Sequence, residues 1–91
     1  MANVKIKIYT VKRETFENES IEVKGKTLIE AIKDFIKIYP QLKEELLEND
    51  QKLKSDYVFL LNGRNVEVLD KENTKLQDGD KISIFPPITG G

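Results

Sequence analysis

The groups in this chain that can do chemistry are few. Cys and His are absent from its 91 residues, which removes thiolate nucleophiles, disulfides, the usual zinc ligands and the commonest general base at neutral pH. Carboxylates, lysines, hydroxyls and the chain end remain. Glu44, Glu45, Glu48 and Asp50 cluster beside Lys43, but a solvated helix face accounts for that pattern better than a metal site, so no metal is expected. Asp78 and Asp80 flank Gly79 as a tight turn requires, without catalysis. No glycine-rich run precedes a helix, so no phosphate-binding loop and no bound nucleotide are expected on this chain. The end is different: it runs Phe85-Pro86-Pro87-Ile88-Thr89-Gly90-Gly91. Two successive prolines cannot donate ladder hydrogen bonds, so they end a strand and favour an extended polyproline course away from the fold. From Pro86 to Gly91 the reach is at most about 20 Å, at ~3.3 Å per residue. The two glycines have no Cβ, so they pass a narrow channel and let another protein's backbone approach the acyl carbon. The expected working group is therefore the Gly91 carboxylate. A chain-terminal carboxyl has a reference pKa of about 3.3–3.7, so at neutral pH it is an anion and a poor electrophile that must be activated before anything attacks it.

The elements that hold such a tail can be read from periodicity. Val4, Ile6 and Ile8 alternate with Lys5, Lys7 and Tyr9, the period-two pattern of a strand with one wet face. Residues 13–18, polar apart from Phe16, are expected to turn the chain into a partner strand at Ile21 and Val23. After Gly25 and Lys26, Thr27 and Glu30 have the spacing of a capping box. Leu28, Ile32, Phe35, Ile36 and Tyr39 then lie on one face of a helix. Pro40 ends that helix near Tyr39 and is expected to open a shorter one through Leu42, Leu46 and Leu47. Residues 48–55 look like surface loop.

Residues 57–61 form a nearly continuous apolar run, a strand buried on both faces or buried on one and sticky on the other. Asn62-Gly63 signals a hairpin, with Val66 and Val68 expected on its far strand. Asp78-Gly79-Asp80 turns into a last strand, where Ile82 and Ile84 alternate with Lys81, Ser83 and Phe85. The order strand, strand, helix, strand, strand, strand describes an α+β domain with one main helix on one sheet face and a short second helix. Residues 1–85 are expected to form that domain and residues 86–91 the tail. Its open face should carry Lys5, Lys7, Tyr9, Ser83 and Phe85.

Composition narrows the function classes. A chain of this length has room for one modest core. Lys and Arg total 15 against 16 Asp and Glu, a formal charge of −1, which does not favour sequence-independent attraction to nucleic acid. No apolar run approaches the ~20 residues of a membrane span, and Met1 leads directly into the first strand with no export signal. A soluble, cytoplasmic protein is expected, with no nucleic-acid or membrane partner.

The segment from Asp78 to Gly91, Asp-Gly-Asp-Lys-Ile-Ser-Ile-Phe-Pro-Pro-Ile-Thr-Gly-Gly, closely resembles the C-terminus of the small subunit of molybdopterin synthase, within the MoaD-type and ThiS-like ubiquitin-like sulfur carriers. Upstream, the resemblance covers the opening hairpin, the long helix and the hairpin at Leu61-Asn62-Gly63. It implies a β-grasp fold, a mixed five-stranded sheet with the first and last strands parallel and adjacent at its centre. It also implies a mechanism. An E1-like adenylating enzyme of the MoeB/ThiF type would use MgATP to convert the Gly91 carboxylate to an acyl-adenylate, and sulfur from a persulfide donor would displace AMP to leave a thiocarboxylate. The large subunit of molybdopterin synthase would then receive the tail and pass the sulfur to a pterin precursor. This chain would be the non-catalytic, sulfur-carrying subunit, with no cofactor of its own. Gly90, Thr89, Ile88, Pro87 and Pro86 would serve passage of the tail, and Phe85, Phe59 and Leu61 are candidates for partner docking. Other readings stay open: a carrier for thiamine or transfer-RNA thiolation, a protein modifier joined to lysines through Gly91, or an interaction module whose terminus is never activated. The stretch from Gln41 to Asp56 is longer than in compact family members.

Overall fold

Alternation in the first strand does what it implies: in β1 (Ala2–Ile8) Val4, Ile6 and Ile8 are buried while Asn3 and Lys5 are exposed. The structure is a computed structural model that describes residues 1–9 and 20–86. The expected turn at 13–18 with Phe16, and Pro87, Ile88, Thr89, Gly90 and Gly91 of the tail, lie outside those residues. β2 (Ile21–Gly25) pairs antiparallel with β1, Val4 opposite Val23 and Lys5 opposite Glu22. α1 (Leu28–Ile38) follows, with Leu28, Ile29, Ala31, Ile32, Phe35 and Ile36 buried. Beyond Tyr39 comes a 3-10 turn at Pro40–Leu42, then α2 (Lys43–Leu46), whose Leu46 is buried.

β3 (Leu47–Asn49) and β4 (Lys52–Leu53) form a small hairpin of their own. β5 (Val58–Leu61), β6 (Arg64–Asn65) and β7 (Lys81–Phe85) complete the main sheet, in the order β2-β1-β7-β5-β6. β1 and β7 are parallel neighbours, Ile6 opposite Ile82 and Ile8 opposite Ile84, and the other pairings are antiparallel. This is the ubiquitin-like β-grasp, a mixed five-stranded sheet with one main helix and a short second one.

Three local expectations give way to tertiary context. The capping box forms by half: the Glu30 carboxylate accepts from the Lys26 amide at 2.9 Å, while the Thr27 hydroxyl is buried without a hydrogen-bond partner. The cause is the segment from Thr74 to Leu76. The Thr74 carbonyl accepts from the Leu28 amide at 2.9 Å, the Leu76 amide donates to the Lys26 carbonyl at 2.9 Å, and Thr27 bridges Lys75. A backbone carbonyl thus takes one of the helix-end donors that capping side chains usually serve. Residues 48–55 are not all loop, because Leu47 and Leu53 are buried beside Leu46 and draw the chain into the β3–β4 hairpin. The strand after Asn62-Gly63 stops at Asn65. A 3-10 turn at Val66–Val68 then buries Val66 and leaves Val68 exposed, with the Asn65 side chain accepting from the Glu67 amide at 2.9 Å. The Asn62-Gly63 turn itself is as expected, with φ of 52° and 87°, the left-handed pair that matches the twist of a two-residue hairpin.

Candidate functional site

β7 is the element that presents the tail. It lies in the middle of the sheet, paired with β1 on one side and β5 on the other, and Phe85 is its last residue before Pro86. The Asp78-Gly79-Asp80 turn at its start is tied on three sides. Asp78 accepts from the Asn3 amide at 2.8 Å, and Asp80 accepts from the Asn62 side chain at 2.9 Å and from the Gln77 amide at 2.8 Å. The Asn62 side chain in turn accepts from the Lys81 amide at 2.9 Å. The strand that leads to the tail is therefore anchored at its N-terminal end to both neighbouring strands.

On the face away from α1, cross-strand register sorts the side chains into rows. The row nearest the tail is Tyr9, Phe85 and Val58; the next is Lys7, Ser83, Leu60 and Asn65; behind them lie Glu22, Lys5 and Lys81. Tyr9 and Phe85 stack, with ring centroids 4.6 Å apart and planes within 2°. The Lys7 ammonium sits 5.1 Å from the Tyr9 ring centroid, in cation–π range. Lys5, Lys7, Tyr9, Ser20, Lys81 and Ser83 border a groove of about 250 Å³ on this face. The face thus has an apolar rim where the tail departs and a lysine band behind it, suited to a protein surface with an apolar centre and carboxylates.

The expected docking set needs correction here. Phe85 stands on the open face, but Phe59 and Leu61 are core residues, 3% and 8% exposed, packed opposite Ile84 and Ile82. The open-face residues of β5 are Val58 and Leu60. The run Tyr57-Val58-Phe59-Leu60-Leu61 hid this, because both parities are apolar. The Asn62-Gly63 turn carried the missing signal: the residues that flank a two-residue loop pair directly, so Leu61 is register-locked to Arg64 and side-chain parity back to Val58 follows. Among the described residues no three His, Cys, Asp or Glu side chains converge as a metal-ligand set, and no helix is long and apolar enough to cross a membrane.

A family model described as the ThiS family matches residues 6–91. The chain belongs to the ThiS family. Among relatives, it is 45% identical over 53 residues to small archaeal modifier protein 3 of Haloferax volcanii, a match covering 58% of this chain and 56% of that protein. A relative in Archaeoglobus fulgidus, named provisionally as a sulfur carrier protein, is 35% identical over 48 residues, 53% of this chain and 54% of its own. These matches span about half the length of the curated relatives. Solved structures of similar proteins align over nearly the whole chain. Small archaeal modifier protein 1 from Methanosarcina acetivorans superimposes with a TM-score of 0.87 at 31% identity, covering 100% of this chain and 98% of that one. A chain of the Amycolatopsis orientalis BexX/CysO complex gives 0.81 at 28% identity, covering 97% and 99%. This member of the ThiS family therefore has the ubiquitin-like sulfur-carrier fold, and one of its structural neighbours was solved in a complex with another protein.

Proposed function

We propose that the chain is a sulfur carrier whose cargo is held as a thiocarboxylate on Gly91, and that it serves as the small subunit of molybdopterin synthase. The observation that supports the sulfur-carrier part is that the ThiS family match extends through the terminal Gly90-Gly91; the synthase part rests on the resemblance of the segment from Asp78 to Gly91. The departure of the tail from the anchored central strand, beside an apolar rim, supports it.

The chemistry balances as follows. A Gly91 carboxylate oxygen attacks the α-phosphorus of MgATP in an E1-like adenylating enzyme, and pyrophosphate leaves. The terminal sulfur of a persulfide on the sulfur donor attacks the acyl carbon, and AMP leaves. A thiol then cleaves the resulting S–S bond, forming a disulfide and releasing the Gly91 thiocarboxylate. Catalytic groups for these steps belong to the partners, consistent with a chain that has neither Cys nor His. The open face with Phe85, Tyr9, Val58 and Leu60 docks, and Gly90 gives clearance. The reaction draws on MgATP and a persulfide donor, and the reading assigns it to the cytoplasm. The large synthase subunit is the recipient.

A second reading is favoured by the names of the relatives in Haloferax and Methanosarcina: the same adenylate joins Gly91 to a lysine amine, making the chain a protein modifier. Mass spectrometry of cell peptides separates the two. Carrier function predicts a Gly91 thiocarboxylate on the free chain and accumulation of a sulfur-free pterin precursor when the gene is removed. Lysine-linked remnants ending in Gly91, which after cleavage at Lys81 begin at Ile82, that disappear with the gene, on a free chain never found as thiocarboxylate, would replace the first reading by the second.

A further inference from the structure

Docking alone needs apolar area on the rim, which Leu or Val at position 9 would supply, yet the rim is built as a parallel ring stack at the root of the tail. Tyr9 is held at its backbone, where its amide donates to the Ile84 carbonyl at 2.8 Å, and at its ring by the Lys7 ammonium. Phe85 is less constrained. It ends β7 opposite Val58, and the next residue, Pro86, has no amide hydrogen to continue the ladder. A proline ring limits the backbone on either side of the Phe85–Pro86 bond, so the direction in which the chain leaves the sheet is set at Phe85. Among the described residues, the Phe85 ring stacks on the Tyr9 ring, 4.6 Å away and parallel within 2°. A change of direction at that root moves whatever follows it, and in an acyl-transfer geometry displacements of about 1 Å already cost rate.

We propose that Tyr9 is a positioning residue for tail activation: by stacking on Phe85 it aims the chain end into the activating partner, separately from the lysines and apolar residues that hold the partner on. The inference rests on the reading that Gly91 is adenylated. A stacked aromatic pair is worth enough to shift a rate about two- to tenfold, which bounds the effect, and the loss should fall on kcat rather than on KM.

The test is steady-state pyrophosphate release by the E1-like adenylating enzyme from the same organism, with MgATP, a persulfide donor and a thiol to discharge the adenylate, as a function of the concentration of the full chain. Tyr9→Leu keeps apolar bulk and loses the stack; Tyr9→Phe keeps the stack and loses the hydroxyl. Thermal melting checks that each variant is folded, and NMR scalar couplings report the Phe85 χ1 rotamer without any partner. We expect Tyr9→Leu to lower kcat about three- to tenfold with KM within about twofold, Tyr9→Phe to restore kcat, and Phe85 to pass from one rotamer to averaging in Tyr9→Leu alone. A Tyr9→Leu chain with unchanged kcat, a rise in KM alone, or a Tyr9→Phe chain as slow as Tyr9→Leu would each overturn the proposal. If the wild-type chain releases no pyrophosphate with an enzyme that activates another carrier, the adenylation reading fails first and the proposal goes with it.

Discussion

Thr27 shows how one residue can satisfy a sequence signature and still play another part. Its spacing to Glu30 is that of a capping box, but its hydroxyl is buried and unpartnered because the segment from Thr74 to Leu76 supplies the helix-end contacts instead. A buried hydroxyl with no partner keeps its desolvation cost and returns no hydrogen bond. Thr27→Val, which fits the extended φ of −128° at that position, is therefore expected to leave stability unchanged or raise it by about 1 kcal/mol. A true cap would lose about 1 kcal/mol, and a urea melt distinguishes the signs. Tyr57 offers a second residue-scale test. Burial, then the nearby Glu45 carboxylate to which its hydroxyl donates at 3.4 Å, and then Asp56, push its pKa above the ordinary 10.0. The unfolded chain then loses that proton first, so the stabilisation is complete below pH 10 and is lost as pH rises through the folded pKa. Denaturant midpoints measured upward from pH 9 should fall less steeply for Tyr57→Phe than for the wild type; parallel profiles would show that the Tyr57 pKa is not raised in solution.

At the scale of elements, β5 separates what was readable from what was not. Strands whose faces differ in polarity, β1 and β7, are explicit in the sequence, because alternation is visible when one face is wet. α1 is equally plain from its apolar stripe and Pro40. β5 has apolar residues on both faces, so the strand was evident and its facing was not. The β3–β4 hairpin was hidden for a different reason: its two buried leucines, Leu47 and Leu53, lie too far apart in a polar stretch for a local pattern. The two faces of β5 predict opposite phenotypes. Phe59→Ala, in the core, should cost about 3–5 kcal/mol of stability. Leu60→Ala, on the open face, should cost about 1 kcal/mol or less and instead raise the KM of the activating enzyme for this chain. A loss of stability in Leu60→Ala as large as in Phe59→Ala would contradict the assigned facing of β5, and an unaltered KM in Leu60→Ala would mean that the open face is not the docking face.

On the scale of the whole molecule, the fold gathers the residues proposed for docking on one sheet face. The helix and the core leucines cover one sheet face, and the central strand carries its C-terminal end out between Tyr9 and Val58 on the other. Although the formal charge is −1, Lys5, Lys7 and Lys81 stand together behind Phe85, so the proposed docking would draw on local arrangement rather than on net charge. The tail reading rests on the sequence, where prolines and glycines in that order have few structural uses; the open face was half legible, because its lysines and aromatics declare themselves while Val58 and Leu60 do not. The most direct test of the central claim is the intact mass of the purified chain after incubation with its adenylating enzyme, MgATP and a persulfide donor, with and without Gly91. The account predicts one sulfur in place of one oxygen, lost when Gly91 is deleted. An unchanged mass, from an enzyme shown to activate another carrier, would contradict it.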